Sequence, residues 1–150
     1  MRISKTYQFR TITDLPTLGY IFHPIKYLEN FYPDFSNWYY DKLVPDILLG
    51  NDKVLLMERN HNLIGVSILK DQEEKKLRAL RILPQYQKKG LGLYLIDKSL
   101  EVLGTDKPHC TVAEETFHQY SRIFVNRYNF NLTSVEKGLY RKAKLEYFFN

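Results

Sequence analysis

The stretch Ile82-Leu83-Pro84-Gln85-Tyr86-Gln87-Lys88-Lys89-Gly90-Leu91-Gly92 decides how this chain is read. Before it, Leu77-Arg78-Ala79-Leu80-Arg81-Ile82-Leu83 has the pattern of a strand ended by Pro84. After it, Leu91, Leu95, Ile96, Leu100 and Leu103 recur at helical spacing, with Asp97, Lys98 and Glu101 opposite and Gly104 as the stop. The glycines therefore lie where a strand hands over to a helix N-terminus. Lacking Cβ atoms, they let backbone N–H groups approach a ligand closely. The first N–H groups of a helix have no intrahelical partner, and the dipole there favours negative charge. Phosphate is the natural guest. Gln87, Lys88 and Lys89 add donors and positive charge, and no acid stands in the first helical turn. Two common phosphate motifs do not match. Gly-x-x-x-x-Gly-Lys-Ser/Thr is absent, and a dinucleotide fingerprint needs a third glycine where Leu95 stands.

Working outward, Val54-Leu55-Leu56-Met57 and Leu63–Leu69 are apolar runs joined by Asn60-His61-Asn62, which predicts a hairpin. The charged turn from Asp71 to Lys76 adds the third strand of an antiparallel meander. Toward the N-terminus, Ile3, Tyr7, Phe9 and Ile12 suggest an edge strand. Asp14 and Pro16 mark one helix start, and Ser36 is read as the cap of a second helix running toward Leu49 and ended by Gly50-Asn51. Toward the C-terminus, His109–Ala113 reads as a strand, and Phe117, Tyr120, Phe124 and Tyr128 as an amphipathic helix. Phe130–Tyr140 and Leu145–Phe149 form a last hairpin turning at Arg141–Lys144. The order is β-α-α-β-β-β-α-β-α-β-β, an α/β (α+β mixed) sheet flanked by helices in one domain over residues 1–150.

These features resemble the GCN5-related N-acetyltransferase (GNAT) superfamily. Its acyl-CoA signature, Arg/Gln-x-x-Gly-x-Gly/Ala, is met at every position by Gln87–Gly92, and Ile82–Tyr86 matches its hydrophobic-x-Pro-x-Tyr approach. The resemblance covers residues 52–150 and extends to residues 1–50 only by element order. It implies a GNAT fold: a central, mostly antiparallel sheet with splayed strands four and five and flanking helices. It also implies transfer of an acetyl group from acetyl-CoA, a co-substrate, directly to a primary amine. On that resemblance Gln87, Lys88, Lys89, Gly90, Leu91, Gly92 and Leu93 would cradle the pyrophosphate. The backbone of Ile82 and Leu83 would hold the pantetheine, with an N–H near Ile82 polarising the thioester carbonyl. Asn126 and Arg127 would flank the adenosine end. Glu114, just past Thr111-Val112-Ala113, is the first candidate base and His118 the second, although a Glu114-Glu115 pair at a helix entrance also suits the helix dipole. The chain departs from the family where Val125 occupies the position of the usual general-acid tyrosine. Tyr128 is offered as the acid instead, with Tyr120 or water as alternatives. Asn129 replaces a glycine in a left-handed turn.

The rest of the chain bounds these expectations. Its 150 residues, 44% hydrophobic and 26% charged, suit a globular domain. The longest uncharged stretch, Leu15–Ile25, is eleven residues broken by two prolines and a glycine, so no membrane helix is expected. MRISKTYQFR has no apolar signal core, and the single Cys110 fits a reducing cytoplasm without disulfides. The four histidines are scattered, so no metal site is expected. The chain carries +5, and +4 of this falls in residues 51–100 with ten basic and six acidic groups. Six aromatics among the ten residues Phe31–Tyr40 are read as a substrate pocket, a homodimer contact or a core cap. The alternative to an enzyme is a catalytically silent module of this fold that binds CoA or RNA. A third reading joins the two, with the amine carried on an aminoacyl-tRNA. The acceptor itself is open among small molecule, protein and aminoacyl-tRNA.

Overall fold

The computed structural model describes residues 6–150. Strands β1 (Gln8–Ile12), β2 (Asp52–Arg59), β3 (Asn62–Asp71) and β4 (Lys75–Ile82) form an antiparallel sheet in sequence order. A second antiparallel sheet contains β5 (Cys110–Ala113), β6 (Leu132–Lys137) and β7 (Leu145–Phe149), with β7 in the middle. Tyr7 packs on the core beside β1, whereas Ile3 lies outside the described residues. The β2–β3 turn has only two residues, Asn60 (φ 51°) and His61 (φ 67°), the paired left-handed conformation that matches strand twist.

The continuous apolar run in β2 follows from burial on both sheet faces. Val54 and Leu56, with Val66 and Ile68, pack under α1 (Leu15–Ile25) and α2 (residues 35–48). Leu55 and Met57 face the opposite side, under α3 (Leu91–Leu103) and α4 (residues 117–127). Asp14 caps α1 by accepting from the Thr17 N–H at 2.8 Å. Ser36 does not cap α2. The chain enters that helix at Asp34, and the Ser36 hydroxyl donates to Glu29 instead. Midway, α2 widens into a π turn at Tyr39–Leu43, where Pro45 has no N–H for the ordinary bond to Asp41. A 3-10 turn that the sequence pattern did not disclose, Lys26–Asn30, follows α1 and carries Tyr27 to the open edge of β4.

Small residues seat α3 on the sheet. A Cβ on Gly65 would lie 2.8 Å from Ile82 Cδ1 and 3.1 Å from Leu95 Cδ2. Nearby, the buried hydroxyls of Ser67 and Ser99 meet at 2.8 Å, and Ser99 also donates to the Leu95 carbonyl. This close approach fixes where the α3 N-terminus points. The last turn of α4 is also π, and Asn129 (φ 56°) closes it while Phe130 N–H donates to Phe124 C=O at 2.7 Å. Phe130 then turns into the core, so β6 begins at Leu132 and is shorter than its sequence pattern suggests. Of the aromatic run, Phe35 and Tyr39 cap the core, while Phe31 and Tyr32 face a cleft. Among the described residues, no helix is long and apolar enough to cross a membrane, and no group of three His, Cys, Asp or Glu could hold a metal ion.

Candidate functional site

The cleft exists because β4 and β5 run parallel but touch only at their first residues. Leu77 N–H donates to His109 C=O and His109 N–H to Lys75 C=O, each at 2.9 Å. Beyond this clasp β5 pairs with β7, and the two strands splay. The wedge between them has a volume of about 410 Å³. On β4, Leu83 N–H is already committed to Ile64 C=O at 2.9 Å. Strand alternation therefore turns the N–H and C=O of Leu80 and Ile82 into the wedge. Ile82 C=O accepts from Gln87 Nε2 at 2.8 Å, as that orientation requires.

One end of the wedge is the glycine loop. Lys88 (φ 63°) and Gly90 (φ 75°) adopt left-handed conformations, and Gly90 is the N-cap of α3 without any side-chain capping bond. No acid occupies the first turn. A Cβ at Gly92 would meet only Ile82 Cγ1, at 3.8 Å, so the fold itself does not require glycine there. The open N–H groups, the cation and the bare backbone fit a phosphate group. Lys88, Gly90, Leu91, Gly92 and Leu93 line the wedge, whereas Lys89 is exposed outside the lining. The Gln87 side chain holds the loop to β4. Asn126 and Arg127 do not line the wedge; Arg127 reaches Asp97 on α3 at 3.7 Å.

The three residues expected to carry catalysis are not brought together. Glu114 accepts from Leu145 N–H at 2.6 Å and lies 4.0 Å from Lys144, outside the wedge lining. His118 is on α4, one position from the lining residue Gln119, and is itself outside the lining. Tyr128 donates to Asp97 at 2.6 Å, and burial followed by that carboxylate pushes its phenol up to about 12. It belongs to the outer face of α3 and lies off the cleft. Glu115, bound by both Arg141 nitrogens, is held at about 2 by that pairing and is structural. Val125, at the family's tyrosine position, is 43% exposed.

The hydroxyls lining the wedge lead to a different set. Glu146 on β7, 3% exposed, accepts at one oxygen from Tyr32 Oη at 2.6 Å and from Thr111 Oγ1 at 2.7 Å. Both hydroxyl residues line the wedge. Burial raises the Glu146 carboxyl above its ordinary range, against the two hydroxyl bonds and Arg141. Burial and this carboxylate likewise push the Tyr32 phenol up. From α4, Tyr120 reaches the same wedge, its phenol raised by burial and drawn back by Arg81. Sequence reasoning passed over Glu146, although a single acid inside Leu145-Glu146-Tyr147-Phe148-Phe149 is a readable signal. Cys110, also on the lining, is a packing residue whose thiol burial pushes up to about 12.

No protein-family model and no curated protein matches the sequence. Solved structures do match. The ribosomal-protein-S18-alanine N-acetyltransferase of Escherichia coli superposes with TM-score 0.72 at 14% identity, over 95% of this chain and 91% of that one. A GNAT-family acetyltransferase from Bacillus cereus gives 0.68 at 14%, over 95% and 94%. One from Elizabethkingia anophelis, with acetyl-CoA bound, gives 0.64 at 16%, over 96% of each chain. Identities this low speak for the backbone alone, and together with the splayed β4–β5 edge they establish that the chain has the GNAT fold.

Proposed function

We propose that this protein is an acyltransferase that moves the acetyl group of acetyl-CoA directly onto a primary amine, without an acyl-enzyme. One observation carries the reading. A single wedge runs from a helix N-terminus suited to phosphate to two hydroxyls, on Tyr32 and Thr111, that bond a buried carboxylate behind them. Lys88 and the N–H groups from Gly90 to Gly92 hold the pyrophosphate, Leu93 N–H being bonded to Gly90 C=O. The outward edge of β4 at Leu80 and Ile82 carries the pantetheine arm as an added strand would. The Ile82 N–H then polarises the thioester carbonyl; one such donor is typically worth about 10²–10³ in rate.

An acceptor ammonium has a pKa of about 10 and must lose a proton before attack. Glu146, acting through the Tyr32 and Thr111 hydroxyls, takes up that proton in this reading. This role replaces Glu114 and His118: none of the three lines the wedge, but Glu146 is bonded to two hydroxyls that do. Tyr120 donates to the departing thiolate, in place of Tyr128. With its raised pKa it stays protonated and able to donate at neutral pH.

Calorimetric titration with acetyl-CoA, followed by thiol release with an amine panel, tests the reading. Gly92→Glu should still fold, because its Cβ has room and a carboxylate suits the helix dipole. It should weaken acetyl-CoA binding by about 1.4–2.8 kcal/mol, ten- to hundredfold. No binding by the wild type, or unchanged binding by Gly92→Glu, overturns the site. Binding without turnover of any amine leaves the catalytically silent module as the function.

A further inference from the structure

The charged side chains that line the wedge are of one sign only, the Glu146 carboxylate lying behind the Tyr32 and Thr111 hydroxyls. The lining includes Arg78, Arg81 and Lys88 but no aspartate or glutamate. Lys88 belongs to the phosphate end. Arg78 is already matched, 3.3 Å from the buried Asp52 and stacked on Trp38 with its Cζ 5.5 Å from the ring centroid. Arg81 is different. Its guanidinium lies over the Tyr27 ring, with Cζ 3.7 Å from the centroid, and its Nε, like that of Arg78, is buried with no hydrogen-bond partner. It forms no ion pair among the described residues.

Tyr27 belongs to the 3-10 turn after α1, so the stacked guanidinium sits on the face of β4 away from the α3 loop. It also lies close enough to Tyr120 to influence that phenol. A cation held against the Tyr27 ring, partly exposed with its Nε buried, repels a polyamine or a lysine-rich peptide. It attracts an acceptor that brings its own negative charge, and the planar fork suits a carboxylate or phosphate bidentately. Phe31 and Tyr32 complete this end, giving it apolar walls.

We infer that Arg81, held on Tyr27, is the anion-binding residue of the acceptor site, and that the acceptor is a small amine bearing a nearby carboxylate or phosphate. This rests on the acetyltransferase reading for the word acceptor, but the anion site can be tested without turnover. The protein, alone and saturated with CoA, is titrated calorimetrically with the twenty L-amino acids and with O-phosphoethanolamine. The matching carboxamides, ethanolamine and spermidine are the comparison set.

At least one amine bearing a carboxylate or phosphate should bind tenfold or more tighter than the analogue that lacks that group, the carboxylate and phosphate arms identifying which anion is preferred. R81Q should abolish that discrimination while changing the acetyl-CoA dissociation constant less than twofold, and R81K should keep part of it. Thermal melting of both variants separates misfolding from lost recognition. Carboxamides, ethanolamine or spermidine binding as tightly as the carboxylate- or phosphate-bearing amines, or discrimination persisting in R81Q, overturns the inference. Anion discrimination without thiol release would instead overturn the transfer reaction and leave the anion site standing.

Discussion

Glu146 should set the acid limb of the pH–rate profile. As the base it must be ionised, so kcat/KM falls as pH drops through a pKa above the ordinary glutamate value of about 4.3. The cause of the shift is burial; the Tyr32 and Thr111 hydroxyls, which bond the charged form, oppose it. Tyr32→Phe keeps the ring that packs on Tyr140, with centroids 5.1 Å apart, and removes only the donor. A hydrogen bond to a charged group is worth about 1.5–3 kcal/mol, and one pKa unit corresponds to about 1.36 kcal/mol. The limb should therefore move upward by about 1–2 pH units in Tyr32→Phe, and in the same direction in Thr111→Val. Glu146→Gln should remove the limb and lower kcat by about 10²–10⁴ with acetyl-CoA affinity unchanged. Folding stability gives an independent check. The folded pKa is raised, so the folded state binds more protons between the unfolded and folded values. The resulting stabilisation is full below the unfolded pKa and is lost as pH rises through the folded one. Urea midpoints of the wild type should fall relative to Glu146→Gln across that window. Thiol-release rates and urea melts across the acid and neutral range measure both effects. A limb that stays in place in Tyr32→Phe and Thr111→Val, or full kcat in Glu146→Gln, refutes the assignment.

Two further substitutions probe the frame around the wedge. Gly65→Ala puts a Cβ 2.9 Å from the Arg81 carbonyl oxygen, a backbone atom that cannot swing aside. It should cost about 1–3 kcal/mol by urea melting and weaken acetyl-CoA binding as β4 shifts. Unchanged stability would refute the close packing of β3, β4 and α3. Tyr120→Phe should reduce kcat by about tenfold or more without altering acetyl-CoA affinity. An unchanged kcat in single-turnover thiol release would remove Tyr120 as the acid.

The framework was legible in the sequence because its signals are local. A polar turn between apolar runs, strands apolar on both faces, and a glycine pair at a helix start each act within a few positions. The catalytic end was not legible, for reasons that differ from residue to residue. Glu146 meets Thr111 only through the β5–β7 pairing, 35 residues apart, and Tyr32 is 114 residues away. Glu114 sits at the right strand end, but Leu145 N–H at the start of β7 captures its carboxylate. On α4, the π turn at Ile123–Arg127 changes the angular spacing of the side chains, so counting back from Phe130 assigns faces that the helix does not present. Tyr128 consequently meets Asp97, while Tyr120, before the π turn, faces the wedge.

The basic middle of the chain resolves in the same terms. Most of its cations are answered locally: Lys53 and Lys75 by Asp71, Lys70 and Lys76 by Glu74, and Arg78 by Asp52. Glu74 is held at about 2, first by Lys70 and then by His109, so that cluster is neutralised at the strand clasp. Apart from Arg59, which lies over the Tyr7 ring, the cations of this stretch with no such ion pair among the described residues are Arg81, Lys88 and Lys89. They stand on or beside one continuous wedge, two at the helix N-terminus and one at the opposite face of β4. A charge excess distributed for solubility would be spread over the surface and screened there. Cations left unanswered at both ends of one cleft fit a pair of anionic ligands that meet in the middle. That geometry weakens the case for a long RNA backbone, which would need a continuous exposed stripe rather than two separated points.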